Sequence, residues 1–380
     1  MLSKAPADSR LDPSPLLVVA LSGRALASSA RRGGYPVVVL DLYNDVDTRS
    51  CAVQTRRVPG TASEFDREAL LSIAHEFARA TSGLVAGAGF EAAPALIEQL
   101  ADGSPLYGNS PEVVARVKEP DIFFALLDAL DIPHPETSCT PPREPEGWLV
   151  KRTGGQGGTH IRPAAPGMTT DPGHYFQRYQ PGCSASVLFL ADGIQARVIG
   201  FNEQFSADVN GARYWYSGAI NRAELAPILE TEIGLKLNAL VRATGLIGLN
   251  SLDFLIQGSR YSVLEVNPRP SATMDLHDAD HPSGLFHLHL LACQGRLPER
   301  MPDSGTVRAH AVVYAAQLLS IPAWFRFPAW CSDLPEAGSH FEQGAPVCMV
   351  HASGSSVAEV KRLLAHRQAM IEAAILEEAA

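Results

Sequence analysis

The chain is 380 residues long and 46% hydrophobic, with 31 basic against 41 acidic residues and a net charge of −10. This length and apolar content support a large core shared among two or three domains or lobes, which excludes a disordered or fibrous protein, and the acidic balance argues against broad nucleic-acid binding. The six cysteines (Cys51, Cys139, Cys183, Cys293, Cys331, Cys348) lie far apart without a CxxC pair, so no disulfide framework or zinc finger is expected and reduced thiols in a cytoplasm are the plain reading.

After a polar start, expected to be mobile, "LLVVAL" at 16–21 reads as a buried strand, "SGRALASSARRGG" as a helix and "PVVVLDLY" as a second strand. That order is β-α-β and predicts a parallel sheet. The run "PLLVVALSGRALA" is too short to cross a membrane and is interrupted at Ser22, Gly23 and Arg24, so neither a span nor a targeting segment is expected. Ser22 and Gly23 offer backbone amides that can receive an anion. The GxGxxG fingerprint is absent, which weakens a dinucleotide reading in which Asp41 and Asp45 would face a ribose. A helical pattern over 62–81, a short strand around "GLVAGAG" and a helix from Glu91 to Leu100 complete a small open α/β sheet.

The segment from Ser110 changes character: Pro111 and Pro120 each open a helix, and Lys118 stands between them. "GWLVKRTGGQGGTHI" then predicts a strand ending in Lys151 and Arg152, a glycine loop and a return strand. Gly154, Gly155, Gly157 and Gly158 read either as a flexible hairpin tip or as backbone free to turn toward a phosphate; no GK[ST] follows, so the loop is not a Walker A. "YFQRY" predicts a further strand, and "SASVLFLADG" with "QARVIG" a hairpin of an antiparallel sheet, with Asp192 as its turn residue. A helix from Ala223 to Thr244 precedes two strands joined by "QGSR".

Pairing about that turn leaves Asp253 and Glu265 close to opposite one another, and Glu265 and Asn267, two apart, leave the same face. One carboxylate can be a structural ion pair. Two carboxylates and an amide on one face, without nearby lysine excess, fit a hard divalent cation such as magnesium held by oxygen ligands.

These residues resemble the ATP-grasp ligases, and within them a branch of ATP-dependent carboligases similar to the tyramine–glutamate ligases of methanofuran- and methylofuran-type cofactor synthesis. "SGRALASSARRGGYPVVVLDLYNDVDTR" looks like that branch's opening motif. The resemblance implies an ATP-grasp fold, mixed α/β and α+β. It would comprise a Rossmann-like pre-grasp domain over 1–108, a small grasp lobe over 109–185, a large lobe over 186–300 and a C-terminal appendage over 301–380. It carries Lys118 and Lys151 over as nucleotide-binding lysines, Gly154, Gly155, Gly157 and Gly158 as the loop over the triphosphate, and Asp253, Glu265 and Asn267 as metal ligands. Arg269 follows where the family often has an arginine near the transferred phosphate. The hinge departs from the family pattern: where a glutamate is usual, the chain offers Gln177, Arg178, Tyr179 and Gln180. The backbone of Tyr179 and Gln180 can still meet an adenine edge.

The cofactors implied are ATP and Mg2+, with Mn2+ an alternative, and the reaction implied is an acyl-phosphate route joining a small-molecule acid to an amine, with Lys151 and Arg269 catalytic. Glutamate and tyrosine or a tyramine-like amine are the substrates the branch suggests. A carboxylase, a phosphoryl transferase and a non-catalytic nucleotide-binding regulator are the alternatives. No nucleic acid or membrane partner is expected.

Four other stretches stay open. "HDADH" with His287 and His289 reads as a structural zinc or iron cluster or as a substrate-facing loop entering a helix. Ser184, Ser186, Ser271 and Thr273 are candidates for substrate contact. Trp215 and Tyr216 read as packing or as an aromatic acceptor wall. "WFRFPAW" at 324–330, between strand-like runs and a final helix over 356–377, can be an oligomer contact.

Overall fold

The computed structural model describes residues 14–169, 171–209 and 212–377. The polar start, residues 1–13, for which mobility is expected, lies outside them. The N-terminal unit is a four-stranded parallel sheet in the order Gln54–Arg57, Val37–Asp41, Leu16–Val19, Leu84–Ala86. The strands Val37–Asp41, Leu16–Val19 and Leu84–Ala86 are buried along their whole length and apolar except at Asp41, as a sheet covered on both faces requires. One face packs Leu70, Phe77, Phe90 and Leu96; the other packs Leu26 and Ala27 of the helix Arg24–Arg32 with Leu188, Leu249, Met274 and Phe286 of the large sheet and its helix.

Two short helices, Pro111–Lys118 and Pro120–Ala129, each carry proline in the first turn, where a missing N–H costs nothing. They lead into a four-stranded antiparallel sheet ordered Thr137–Ser138, His174–Arg178, Trp148–Arg152, Arg162–Pro163. Beyond it an eight-stranded antiparallel sheet runs in the order Arg260–Asn267, Ile247–Gln257, Cys183–Asp192, Ala196–Val209, Ala212–Asn221, Val307–Tyr314, Pro346–Gly354, Cys331–Ser332. The helix Pro227–Thr244 covers one face through Leu229, Ile233, Leu237 and Leu240, and the helix Val357–Glu377 covers the tail strands through Val360, Leu364 and Ile371. Among the described residues no helix is long and apolar enough to cross a membrane.

Several expectations shift. The helix expected over 62–81 is Arg67–Phe77, because Gly60–Thr61 and Glu64–Phe65 pair as a small hairpin and Asp66 caps the helix by accepting from the Ala69 amide at 3.0 Å. The helix expected from Ala223 starts at Pro227, with Ala226 still extended. The one expected from Glu91 starts at Ala95. The polar strands Gln54–Arg57 and Ala212–Asn221 carry too little alternation to read in advance. The tail strands Val307–Tyr314 and Pro346–Gly354 continue the large sheet, hydrogen-bonded to it through Ala219 opposite His310. In "WFRFPAW", Phe325, Phe327 and Trp330 pack inward on this tail core while Trp324 is exposed.

A cleft between the two antiparallel sheets

The site begins with a tight hairpin. Gln257 pairs with Arg260 across Gly258 and Ser259, and regular pairing onward from that turn would set Leu264 opposite Asp253. A bulge at Leu264 shifts the register by one residue, so Asp253 faces Glu265 and Ser251 faces Asn267. Directly opposed residues share a face. The bulge therefore turns a carboxylate, rather than a leucine, toward its partner.

Burial and the neighbouring Glu265 charge push the Asp253 carboxyl up to about 7. Burial also disfavours the Glu265 charge, but Lys118, at 2.8 Å, and Lys151 outweigh it and hold that carboxyl below its usual range. Asn267 donates to Asp253 at 2.9 Å, and Gln204 donates to it at 3.2 Å. Burial and the nearby Lys118 charge lower the Lys151 ammonium, against the opposing pull of Glu265 and Asp253. Two carboxylates opposed on adjacent strands, one of them pushed toward neutrality by the other, with an amide oxygen two residues on, form a donor set that fits a hard divalent cation.

The glycine loop stands over this group. Gly154, Gly157 and Gly158 have φ of 69°, 64° and 73°. A side chain at Gly154 would meet the Glu91 backbone at 2.5 Å, and one at Gly158 the Tyr214 carbonyl at 1.7 Å. The loop is thus both conformationally and sterically tied to glycine. Gly157 accepts from the Tyr216 amide at 2.9 Å, which joins the loop to the large sheet.

At the hinge, Gln177 is 1% exposed and its amide nitrogen has no hydrogen-bond partner among the described residues. Arg178 lies over the Trp148 ring and donates to the Glu146 carbonyl. Of the Tyr179 and Gln180 backbone groups expected to meet an adenine edge, the Tyr179 N–H donates to the Gly147 carbonyl at 2.8 Å.

All the anticipated residues line one cleft of about 480 Å³: Lys118, Lys151, Gly154, Gly155, Gly157, Gly158, Gln177, Arg178, Tyr179, Gln180, Asp253, Glu265, Asn267 and Arg269. Ser184, Ser271, Thr273 and Tyr216 line it too; Ser186 is wholly buried beside Asn202. Trp215 stacks edge-on against Tyr314.

Two readings of the sequence give way. Gly23 donates its amide to Asp41 at 3.0 Å, so that turn already holds an anion of the chain itself. The histidine- and aspartate-rich stretch is spent on structure: Asp278 accepts from Ser29 and Arg32, Asp280 from Arg308, and His277 bonds Asn202. Among the described residues no group of three or more histidine, cysteine or acidic side chains forms a metal centre.

The sequence reading passes over Glu91. It is 3% exposed and accepts from Arg269 Nε at 2.8 Å, from Gln156 of the glycine loop at 2.8 Å, and from the Gly89 and Phe90 amides at 2.9 Å. Burial disfavours its charge, but Arg269 and Lys118 hold its carboxyl low. The local signal, an acid just after "GAGF", says nothing of a partner 178 residues away.

A second cavity, of about 660 Å³, adjoins the cleft and shares Arg269, Ser271 and Ala272 with it. It sits at the carboxyl ends of the parallel strands, where open α/β sheets place ligands.

A family model described as an ATP-grasp domain matches residues 122–273. The L-amino acid ligase from Bacillus licheniformis superposes with a TM-score of 0.67 at 13% identity, over 93% of this chain and 96% of that one. The fold is ATP-grasp. The Rhizobium etli pyruvate carboxylase superposes with a TM-score of 0.75 at 11% identity, over 96% of this chain and 39% of that one. In sequence, the carbamoyl phosphate synthase large chain of Myxococcus xanthus (strain DK1622) is 25% identical over 197 residues, 45% of this chain. The chain spans 18% of that relative's length.

Proposed function

We propose that the protein is an ATP-dependent carboxylate–amine ligase working through an acyl phosphate. The observation that carries the proposal is the shared wall at Arg269, Ser271 and Ala272, which joins a lysine- and carboxylate-lined cleft to a second, ligand-sized cavity. A phosphoryl donor in the first and a small acceptor in the second would meet at Arg269.

In this reading Lys118 and Lys151 neutralise the triphosphate and the glycine loop covers it with backbone amides. Asp253, Glu265 and Asn267 would hold Mg2+ or Mn2+, which when bound supplies charge neutralisation at the phosphate oxygens. Arg269, oriented by Glu91, presents its planar donors to the acceptor carboxylate or the transferred phosphoryl group. The carboxylate oxygen attacks the γ-phosphorus, the β–γ bridge breaks to release ADP, and the amine nitrogen displaces phosphate from the acyl carbon while losing a proton. Gln177, whose buried amide nitrogen has no partner among the described residues, is a donor held for the nucleotide. The division into segments 1–108, 109–185, 186–300 and 301–380 belongs to the same proposal. So does the finer assignment, glutamate joined to tyrosine or a tyramine-like amine for a methylofuran-type cofactor, which rests on the resemblance of the opening segment.

The test is purified protein with ATP and Mg2+, challenged with pools of acids and amines while phosphate release and product mass are followed. ADP with an amide product supports the reading. AMP with pyrophosphate would sink the acyl-phosphate route, and turnover with bicarbonate as the sole acid would point to carboxylation.

A further inference from the structure

The second cavity is lined by apolar side chains, among them Leu21, Leu26, Met274 and Phe341, and by the acids Asp45, Asp275, Asp333 and Glu336 interleaved with four arginines. Most of those acids are satisfied. Asp41 and Asp47, which stand near Asp45 without lining the cavity, are satisfied as well: Asp41 accepts from the Gly23 and Asn44 amides at 3.0 and 2.7 Å, and Asp47 from the Asp333 and Leu334 amides, both at 2.9 Å. Arg24 is shared between Asp275, at 3.0 Å from Nη1, and Asp333, at 3.1 Å from Nη2. Arg49 is paired with Glu336 at 2.7 Å.

Asp45 is the exception. It is 7% exposed and lines the cavity, and its carboxylate makes no hydrogen bond or ion pair among the described residues. It stands at the N-cap of the short helix Val46–Cys51 without capping it through its side chain. Burial, then the charges of Asp333, Asp41 and Asp47, push its carboxyl up to about 8, and Arg24 offsets them only in part. A buried carboxylate without a partner is costly, and Arg24 and Arg49 are already committed to Asp275, Asp333 and Glu336, while Arg57 donates to the Leu42 carbonyl. The missing partner is a positive charge, and the surroundings fit one carried on an apolar body.

We propose that Asp45 holds the primary ammonium group of a co-substrate in this cavity, a step from the cleft that Arg269 shares. The inference rests on the ligase reading and deepens it. Two co-substrates can supply that ammonium: the amine to be joined, or an amino acid whose carboxylate is activated. An ammonium docked here donates to Asp45 rather than to the nucleotide or the metal-binding group, and lays its carbon skeleton on Leu21 and Phe341.

Calorimetric titration of the full-length protein without nucleotide tests this with two matched pairs, tyramine against tyrosol and L-glutamate against glutarate. Each pair differs at the ammonium. At least tenfold tighter binding of the ammonium member in one pair is expected, and that pair identifies the source. Asp45→Asn should erase the preference while MgATP binding stays as in the wild type, which controls for folding. Equal binding within both pairs, no binding of either ammonium compound, or a preference that survives in Asp45→Asn overturns the proposal. Amide formation that persists in such a case leaves the ligase reading standing. An ammonium preference without acid-dependent ADP release under any mixture supports the site and overturns the ligase reading.

Discussion

Arg269 Nε donates to the buried Glu91 carboxylate at 2.8 Å, tying the end of the edge strand Arg260–Asn267 to the N-terminal unit. The same carboxylate holds Gln156 of the glycine loop. Glu91 thus fixes both the cation at the junction of the two cavities and the lid over the cleft. Glu91→Gln keeps an oxygen for the Gly89 and Phe90 amides but removes the charge opposite Arg269. We expect kcat to fall about 10- to 100-fold, the range for groups that orient a site from behind, with a smaller change in the KM for ATP. Steady-state kinetics against ATP and the acid checks this. An unchanged kcat with lowered thermal stability would reduce Glu91 to a structural role.

Asp253 and Glu265 face each other because of the bulge at Leu264. Glu265→Gln removes one carboxylate and the partner of Lys118 while preserving shape. Turnover should drop at least about 100-fold, the scale for losing one preorganised electrostatic group at a reacting centre, and circular dichroism should be unchanged. Wild-type turnover in this variant would refute the assignment as a metal ligand.

That bulge marks the limit of what the residues disclosed. The hairpin, its turn and the shared face of Glu265 and Asn267 follow from a period of two. The extra residue at Leu264, which decides whether Asp253 meets a carboxylate or a leucine, has no local sign. Lys118 and Lys151 were legible as cations at element ends. Glu91 was not, because its partners arrive from residues 156 and 269 only when the chain closes. The strand Ala196–Val209 runs half-buried along most of its length, so its mixed polar residues hide its full extent. The tail's place in the large sheet depends on pairing between residues about 90 apart, such as Ala219 and His310, which no periodicity encodes.

Gly157 and Gly158 separate strain from clash. Both have positive φ, yet a side chain at Gly157 meets nothing within 4 Å while one at Gly158 would overlap the Tyr214 carbonyl. Gly157→Ala should cost about 1 kcal/mol of left-handed strain and change the KM for ATP less than about threefold. Gly158→Ala must displace the loop, and its KM for ATP should rise at least about tenfold, the equivalent of 1.4 kcal/mol. Equal effects of the two substitutions would contradict this division.

His289 is 1% exposed, accepts from the Leu249 amide through Nδ1 at 2.9 Å and meets the Tyr107 carbonyl through Nε2 at 3.0 Å. Both contacts together require the neutral ring, and burial pushes its pKa down to about 4. The unfolded chain, with an ordinary histidine near 6.5, binds a proton below that pH that the fold does not. The contribution of His289 is therefore complete above about pH 6.5 and is lost as pH falls toward 4, at up to about 1.4 kcal/mol per pH unit. His289→Gln removes this titration and leaves groups elsewhere as they were. Urea unfolding at pH 7, 6 and 5 should show the wild-type advantage over the variant shrinking with each step. A gap that stays constant across those three values would mean that the ring is protonated in the fold or titrates outside this window.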